Sequence, residues 1–173
     1  MRALIADRKS TTITDTQETA RTTDGSNAVT RCSFTHILQK CTVIFIGIPR
    51  LPSTLNMISA TELAMMSPRA VLINVSRGGI VNENDLLVAL RERQIAAAAT
   101  DVFLVEPAWT GNSVLVKALA EDETTVDGEM LPLVVTPHAA WYSEVTMENL
   151  TKDAERNVIG FLRGDPPAQN VIV

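Results

Sequence analysis

Cysteine is scarce in this chain. Its 173 residues hold two, Cys32 and Cys41, in neither CxxC nor Cys/His spacing. That excludes a zinc site and a disulfide framework, and points to two reduced thiols in a cytosolic protein. No stretch approaches the roughly 18 apolar residues of a membrane span, and residues 1–25 hold no leader-like apolar core. Positive charge is not in excess either. With 15 Lys and Arg against 20 Asp and Glu, the net charge is -5 and no basic stripe forms, so nucleic acid is not expected as a direct partner. Nothing repeats internally, and no cluster has metal-ligand spacing. What remains, 46% hydrophobic and 20% charged residues, is the composition of a soluble globular domain with a sizeable core.

Four apolar runs, residues 43–48, 71–75, 96–102 and 133–136, are rich in Val, Ile or Ala and too short for helices. They read as strands buried on both faces, as parallel sheets require. Residues 3–6, ending at Asp7, form a weaker fifth. Helical patterns lie between them at 61–66 and 83–93, the second entered through Asn82 as N-cap with Asp85 three residues on. A further helical pattern, 147–162, stops at Gly164 and the paired prolines Pro166 and Pro167. Strand alternating with helix predicts a doubly wound α/β sheet. Residues 8–30 are polar and give no pattern. The acidic stretch 118–130 reads as a solvated loop.

In such sheets ligands bind at the carboxyl ends of the strands. The residues found there are polar in a related way: Asp7, then Pro49 and Arg50, then Ser76, Arg77 and the glycines, then Asp101 to Glu106, then Thr136, Pro137 and His138. Singly each has an ordinary explanation, as a surface charge or a loop cap. Together they have a coherent chemistry. An arginine fork suits a carboxylate, and a histidine exchanges protons near neutrality. A carboxylate beside that imidazole stabilises its protonated form. Arg, Glu and His therefore suit reversible oxidation of a 2-hydroxy acid, with the hydride passing to a nicotinamide.

The stretches VLINVSRGGIVNENDLLVALRERQIAAAATDVFLVEP and VVTPHAAWYSE resemble the cofactor domain of the D-isomer-specific 2-hydroxyacid dehydrogenases, over roughly residues 30–165. Within that family HAAWYSE looks most like the C-terminal binding protein subgroup of NAD-sensing corepressors. The resemblance implies an NAD-dependent oxidoreductase acting on a small 2-hydroxy or 2-keto acid, cytoplasmic, or nuclear if corepressor-like. Arg77 would bind the substrate carboxylate and carbonyl, Glu106 would support the imidazole, and His138 would be the acid/base. Asp101 would hold the nicotinamide carboxamide, with Val75 and Ser76 giving backbone contacts beside the ring. Gly47, Ile48, Pro49, Arg50 and Ser53 would line the adenosine side. Trp141 would wall the substrate pocket, and Asp7 would accept the ribose hydroxyls, favouring NAD over NADP.

The family's Gly-x-Gly-x-x-Gly loop should precede Asp7, yet only six residues do, and the motif occurs nowhere else. The expected architecture is thus a partial, Rossmann-like sheet without its first strand, phosphate loop or preceding substrate domain. By itself the chain is expected to bind NAD weakly and turn over little or nothing, the alternatives being a corepressor-like scaffold or a non-catalytic remnant. Residues 1–142 would be an incomplete NAD-binding domain. Residues 143–173 would be a helix and extended tail that in the family returns to the substrate domain. Family members generally form homodimers through the cofactor domain. The first strand sits centrally, so its absence would expose apolar edges at residues 3–6 and 43–48, which could instead pair directly.

Overall fold

In the computed structural model of the chain, which describes residues 3–6, 18–20 and 29–164, two separate sheets form. The first joins β1 (Ile5–Ala6), β2 (Glu18–Ala20) and β3 (Val29–Cys32) in the order β1-β3-β2. Here β1 runs parallel and β2 antiparallel to β3. The second holds β4 (Val43–Ile46), β5 (Val71–Asn74), β6 (Ala97–Thr100) and β7 (Leu133–Val135), in that order and all parallel. Helices α1 (Phe34–Lys40), α2 (Ala60–Met65), α3 (Glu83–Arg91) and α4 (Val114–Ala120) make the connections, and α5 (Glu144–Arg163) follows. The α/β architecture with a parallel sheet is the one expected. The polar segment before residue 31 contributes β2 and the first half of β3, which its composition did not announce. The direct pairing of the two open edges does not occur among the described residues, because β1 bonds only to β3 and β4 only to β5.

The core explains why the second sheet forms. Ile44, Leu72, Ala98 and Leu133 stand in register across β4 to β7, and all are buried. Against this row pack Leu38 of α1, Leu63 of α2, Leu86 and Leu90 of α3, and Leu115 of α4, in one apolar cluster. Each fully buried Leu or Ile contributes about 1.5–3 kcal/mol. Burial on both faces, however, does not hold. Phe45 is 67% and Val134 62% exposed, and Ile73 between them is only half-buried. The strand sequences are apolar on both faces, but the described helices of this unit pack against one.

Local caps fix the connections. Ser59 closes α2 by donating its backbone N–H and hydroxyl to Glu62 Oε2, at 3.0 and 2.7 Å. Asn82 caps α3 by accepting from the amides of Asn84 and Asp85. Asp85 does not fold back to complete a capping box. Its carboxylate accepts from the amide of Ala60 at 2.9 Å, tying α3 to the start of α2.

The acidic stretch is not simply a solvated loop. Residues 118–120 end α4, and Thr124 bridges to Met130. Arg91 pairs with Glu123, while Arg93 reaches Asp127 at 2.9 Å and Glu129 at 2.8 Å. These groups are largely solvent-facing, so their pairing is weak. Arg93→Ala should cost no more than about 1 kcal/mol in urea unfolding, and the difference should shrink at high salt.

The chain divides into two compact units, Met1–Pro137 and His138–Val173. In the second, Ser143 caps α5 by accepting from the amide of Thr146, and the helix stops at Gly164. Trp141 donates its indole N–H to the carbonyl of His138 at 2.8 Å and meets Tyr142 edge to face. The prolines after Gly164, like Asp7, lie outside the described residues.

Candidate functional site at the carboxyl edge of the sheet

Within the first unit, the ends of β5, β6 and β7 are knitted together by buried polar side chains. Asn74, the last residue of β5, is 4% exposed. Its Oδ1 accepts from the amide and hydroxyl of Ser76, and its Nδ2 donates to the carbonyl of Arg77 at 3.1 Å. One side chain thus shapes the turn that carries the arginine. The amide of Asp101 in turn donates to the Asn74 carbonyl at 3.0 Å, and Asp101 Oδ1 accepts from the Thr136 hydroxyl at 2.5 Å. A carboxylate only 2% exposed needs such partners.

The loop after β5 is pressed against the loop after β6. A Cβ on Gly78 would lie 1.7 Å from the carbonyl oxygen of Phe103, so nothing larger than glycine permits the approach. Gly79 adopts φ +79°, the left-handed turn toward Asn82, and the Arg50 guanidinium carbon lies 3.6 Å from its Cβ position. Three consecutive strand-end loops therefore abut. Glu106 Oε1 accepts from the amide of Phe103 at 2.9 Å, which puts this carboxylate on the same segment that Gly78 touches. Arg77 is exposed and donates to the carbonyl of Ser76 at 2.6 Å. His138 opens the second unit, two residues beyond Thr136 in the chain, with φ +55°.

Two residues escaped the sequence reading. Asn74 could have been found as the one polar side chain inside an otherwise apolar strand. Glu83 could not, since an acid in a first helical turn is ordinary. Its Oε1 accepts from the amide of Leu104 and its Oε2 from the Ser113 hydroxyl, both at 2.7 Å, holding the loop that contains Glu106. Asn74→Ala should cost about 1–3 kcal/mol in chemical unfolding, because it strips partners from the Ser76–Arg77 turn.

Residues 4–140 match the family model for the NAD-binding domain of the D-isomer specific 2-hydroxyacid dehydrogenases. The chain belongs to the D-2-hydroxyacid dehydrogenase family. A glycerate dehydrogenase of Methylorubrum extorquens is 39% identical over 136 residues, covering 79% of this chain and 39% of that protein. A glyoxylate reductase of Thermococcus litoralis is 33% identical over 134 residues, covering 78% and 36%. Among solved structures, D-lactate dehydrogenase with NAD+ from Lactobacillus jensenii superposes with a TM-score of 0.74 at 26% identity, covering 98% of this chain and 48% of that one. The chain thus spans less than half the length of these D-2-hydroxyacid dehydrogenases. No helix among the described residues is long and apolar enough to cross a membrane.

Part of the edge suits the dinucleotide that the family's domain binds. Val75 in the turn is exposed, and Asp101, buried, is tied by its amide to the carbonyl of Asn74, the residue before Val75. A Cβ on Gly47 would meet nothing within 4 Å, leaving its backbone open to close approach. No Gly-x-Gly-x-x-Gly motif, however, occurs in the sequence to cradle a pyrophosphate at a helix N-terminus.

Proposed function

We propose that the chain carries the reaction-edge half of an NAD-dependent oxidoreductase that interconverts 2-hydroxy and 2-keto acids. The observation that supports this best is the abutment of the Arg77 turn on the Phe103–Glu106 segment, which only a glycine at 78 allows. In this reading Arg77 grips the substrate carboxylate through its planar fork and polarises the neighbouring carbonyl. His138 gives a proton to the carbonyl oxygen during reduction and removes it during oxidation. Glu106 supports the imidazole, and Trp141 walls the substrate pocket. The bound nicotinamide supplies or accepts the hydride. Asp101 orients its carboxamide, and the backbone of Val75 and Ser76 lies beside the ring. Gly47, Ile48, Pro49, Arg50 and Ser53 line the adenosine side, and Asp7 takes the ribose hydroxyls.

The test has two arms. Calorimetric titration of this chain with NADH should give an affinity weaker than low-micromolar, because the sequence holds no Gly-x-Gly-x-x-Gly loop for the pyrophosphate. A longer form containing this chain should oxidise NADH with at least one member of a 2-keto acid panel, and His138→Asn should lower kcat there while cofactor binding persists. No turnover with any keto acid would sink the reading. The heptapeptide HAAWYSE favours a second one, an NAD-tuned corepressor-like scaffold. NAD-dependent capture of a peptide partner, without turnover, would select it.

A further inference from the structure

Asp101, at the end of β6, is fixed from the strand on either side of it. Its amide donates to the Asn74 carbonyl at the end of β5, at 3.0 Å, and its Oδ1 accepts from the Thr136 hydroxyl just beyond β7, at 2.5 Å. Thr136 is pinned in turn by its own amide, which donates to the Thr100 carbonyl at 3.1 Å. The sheet therefore aims the hydroxyl, and the branch at Cβ leaves threonine few choices of χ1.

This bond governs orientation. The carboxylate of an aspartate turns over a broad torsional range about Cβ–Cγ, and only 2% of Asp101 is exposed. A donor arriving from the carboxyl edge thus meets a carboxylate oxygen in few of those orientations. At 2.5 Å the Thr136 bond has the length of a charge-assisted O–H···O⁻ contact, the strong kind. A carboxylate accepts about four hydrogen bonds, so Thr136 and an incoming N–H can be served together. Thr136 itself is exposed, so exchanging its hydroxyl for a methyl leaves the core intact.

We propose that Thr136 is a positioning residue for the nicotinamide carboxamide. Its hydroxyl holds the Asp101 carboxylate in the plane that accepts from the carboxamide N–H, and so gives the site its preference for a carboxamide over other substituents on the ring. Thr136 touches no cofactor and acts through Asp101. The inference rests on the proposed role of Asp101 and supplies the group that makes that role selective.

The experiment compares NADH with the reduced acetylpyridine analogue of NAD, whose methyl ketone keeps the carbonyl of the carboxamide but has no N–H to donate. Kd for each is read on the full chain by NMR titration, which reaches weak affinities. The unaltered chain should bind NADH about tenfold more tightly than the analogue, one charge-assisted hydrogen bond being the difference. Thr136→Val keeps the shape and removes the hydroxyl. It should weaken NADH about tenfold, leave the analogue nearly unchanged and so abolish the preference. Thr136→Ser, which keeps the hydroxyl without the branch, should restore most of it. A purely structural role would weaken both ligands alike, and that result would overturn the proposal, as would a preference kept in full by Thr136→Val. Thr136→Ala gives the same readout should the valine variant not fold. No preference in the unaltered chain, or no saturable binding of NADH, would instead strike the role of Asp101, and the present proposal with it.

Discussion

Exchanging Arg77 for lysine should lower kcat/KM for a 2-keto acid by about 10²–10³ in any turnover-competent form containing this chain, while NADH binding changes little. The charge survives the exchange. What is lost is the planar fork, which grips both carboxylate oxygens while one N–H stays near the carbonyl. In the structure the guanidinium is exposed and rests on the carbonyl of its neighbour Ser76. Swinging out to meet a substrate therefore breaks one surface hydrogen bond and no buried contact, a cost of about 0.5–1.5 kcal/mol. The loss should appear mainly in kcat if the fork polarises the reacting carbonyl, and mainly in KM if it only anchors the carboxylate. A kcat/KM equal to that of the unaltered protein would remove Arg77 from the mechanism.

Among the described glycines, Gly78 should be the one where an added methyl group, as in Gly78→Ala, does most damage. The added carbon would overlap the Phe103 carbonyl at 1.7 Å, and the obstacle is backbone rather than a side chain that could swing aside. Overpacking usually costs about 1–3 kcal/mol when side chains can adjust. Here one of two strand-end loops must retreat, so about 3 kcal/mol or more is expected, a fall in Tm of roughly 6–12 °C for a chain of this size. Retreat would also pull the Arg77 turn from the Glu106 segment, so turnover should fall even below the melting range. Gly47→Ala is the matched control, since its Cβ would meet nothing within 4 Å. Similar melting temperatures for the two variants would refute the close-approach argument.

The parallel strands and the reaction edge were legible because each leaves a strong local trace. Runs such as VLINV can be little but buried strand, and a charged residue directly after one falls on the carboxyl edge by topology alone. Glycines 78 and 79 were legible as a turn, but the reason for the first was not. The Phe103 carbonyl that forbids a side chain at 78 lies 25 residues away, and no local pattern encodes such a clash. β3 was hidden for a related cause: Val29-Thr30-Arg31-Cys32 is polar at its centre, and it pairs as a strand because β1 and β2 flank it. Burial on both faces was expected wrongly, since strand composition records what a sheet can bury rather than which helices are at hand. Asp85 shows the same limit in miniature. Its spacing fits a capping box, but the Ala60 amide, from another helix, captures the carboxylate first.

The separation of the two sheets has a bearing on how the chain melts. Among the described residues no backbone hydrogen bond crosses from β1–β3 to β4–β7, so the halves are coupled through side chains, chiefly those of α1. Cooperativity across such a seam should be weakened, and a departure from all-or-none unfolding is expected. The four-stranded block, with its registered row of Ile44, Leu72, Ala98 and Leu133, is the last to open. The three-stranded sheet behaves as a subglobal unit of lower stability, so a calorimetric trace should carry two transitions, with a van't Hoff enthalpy smaller than the measured heat.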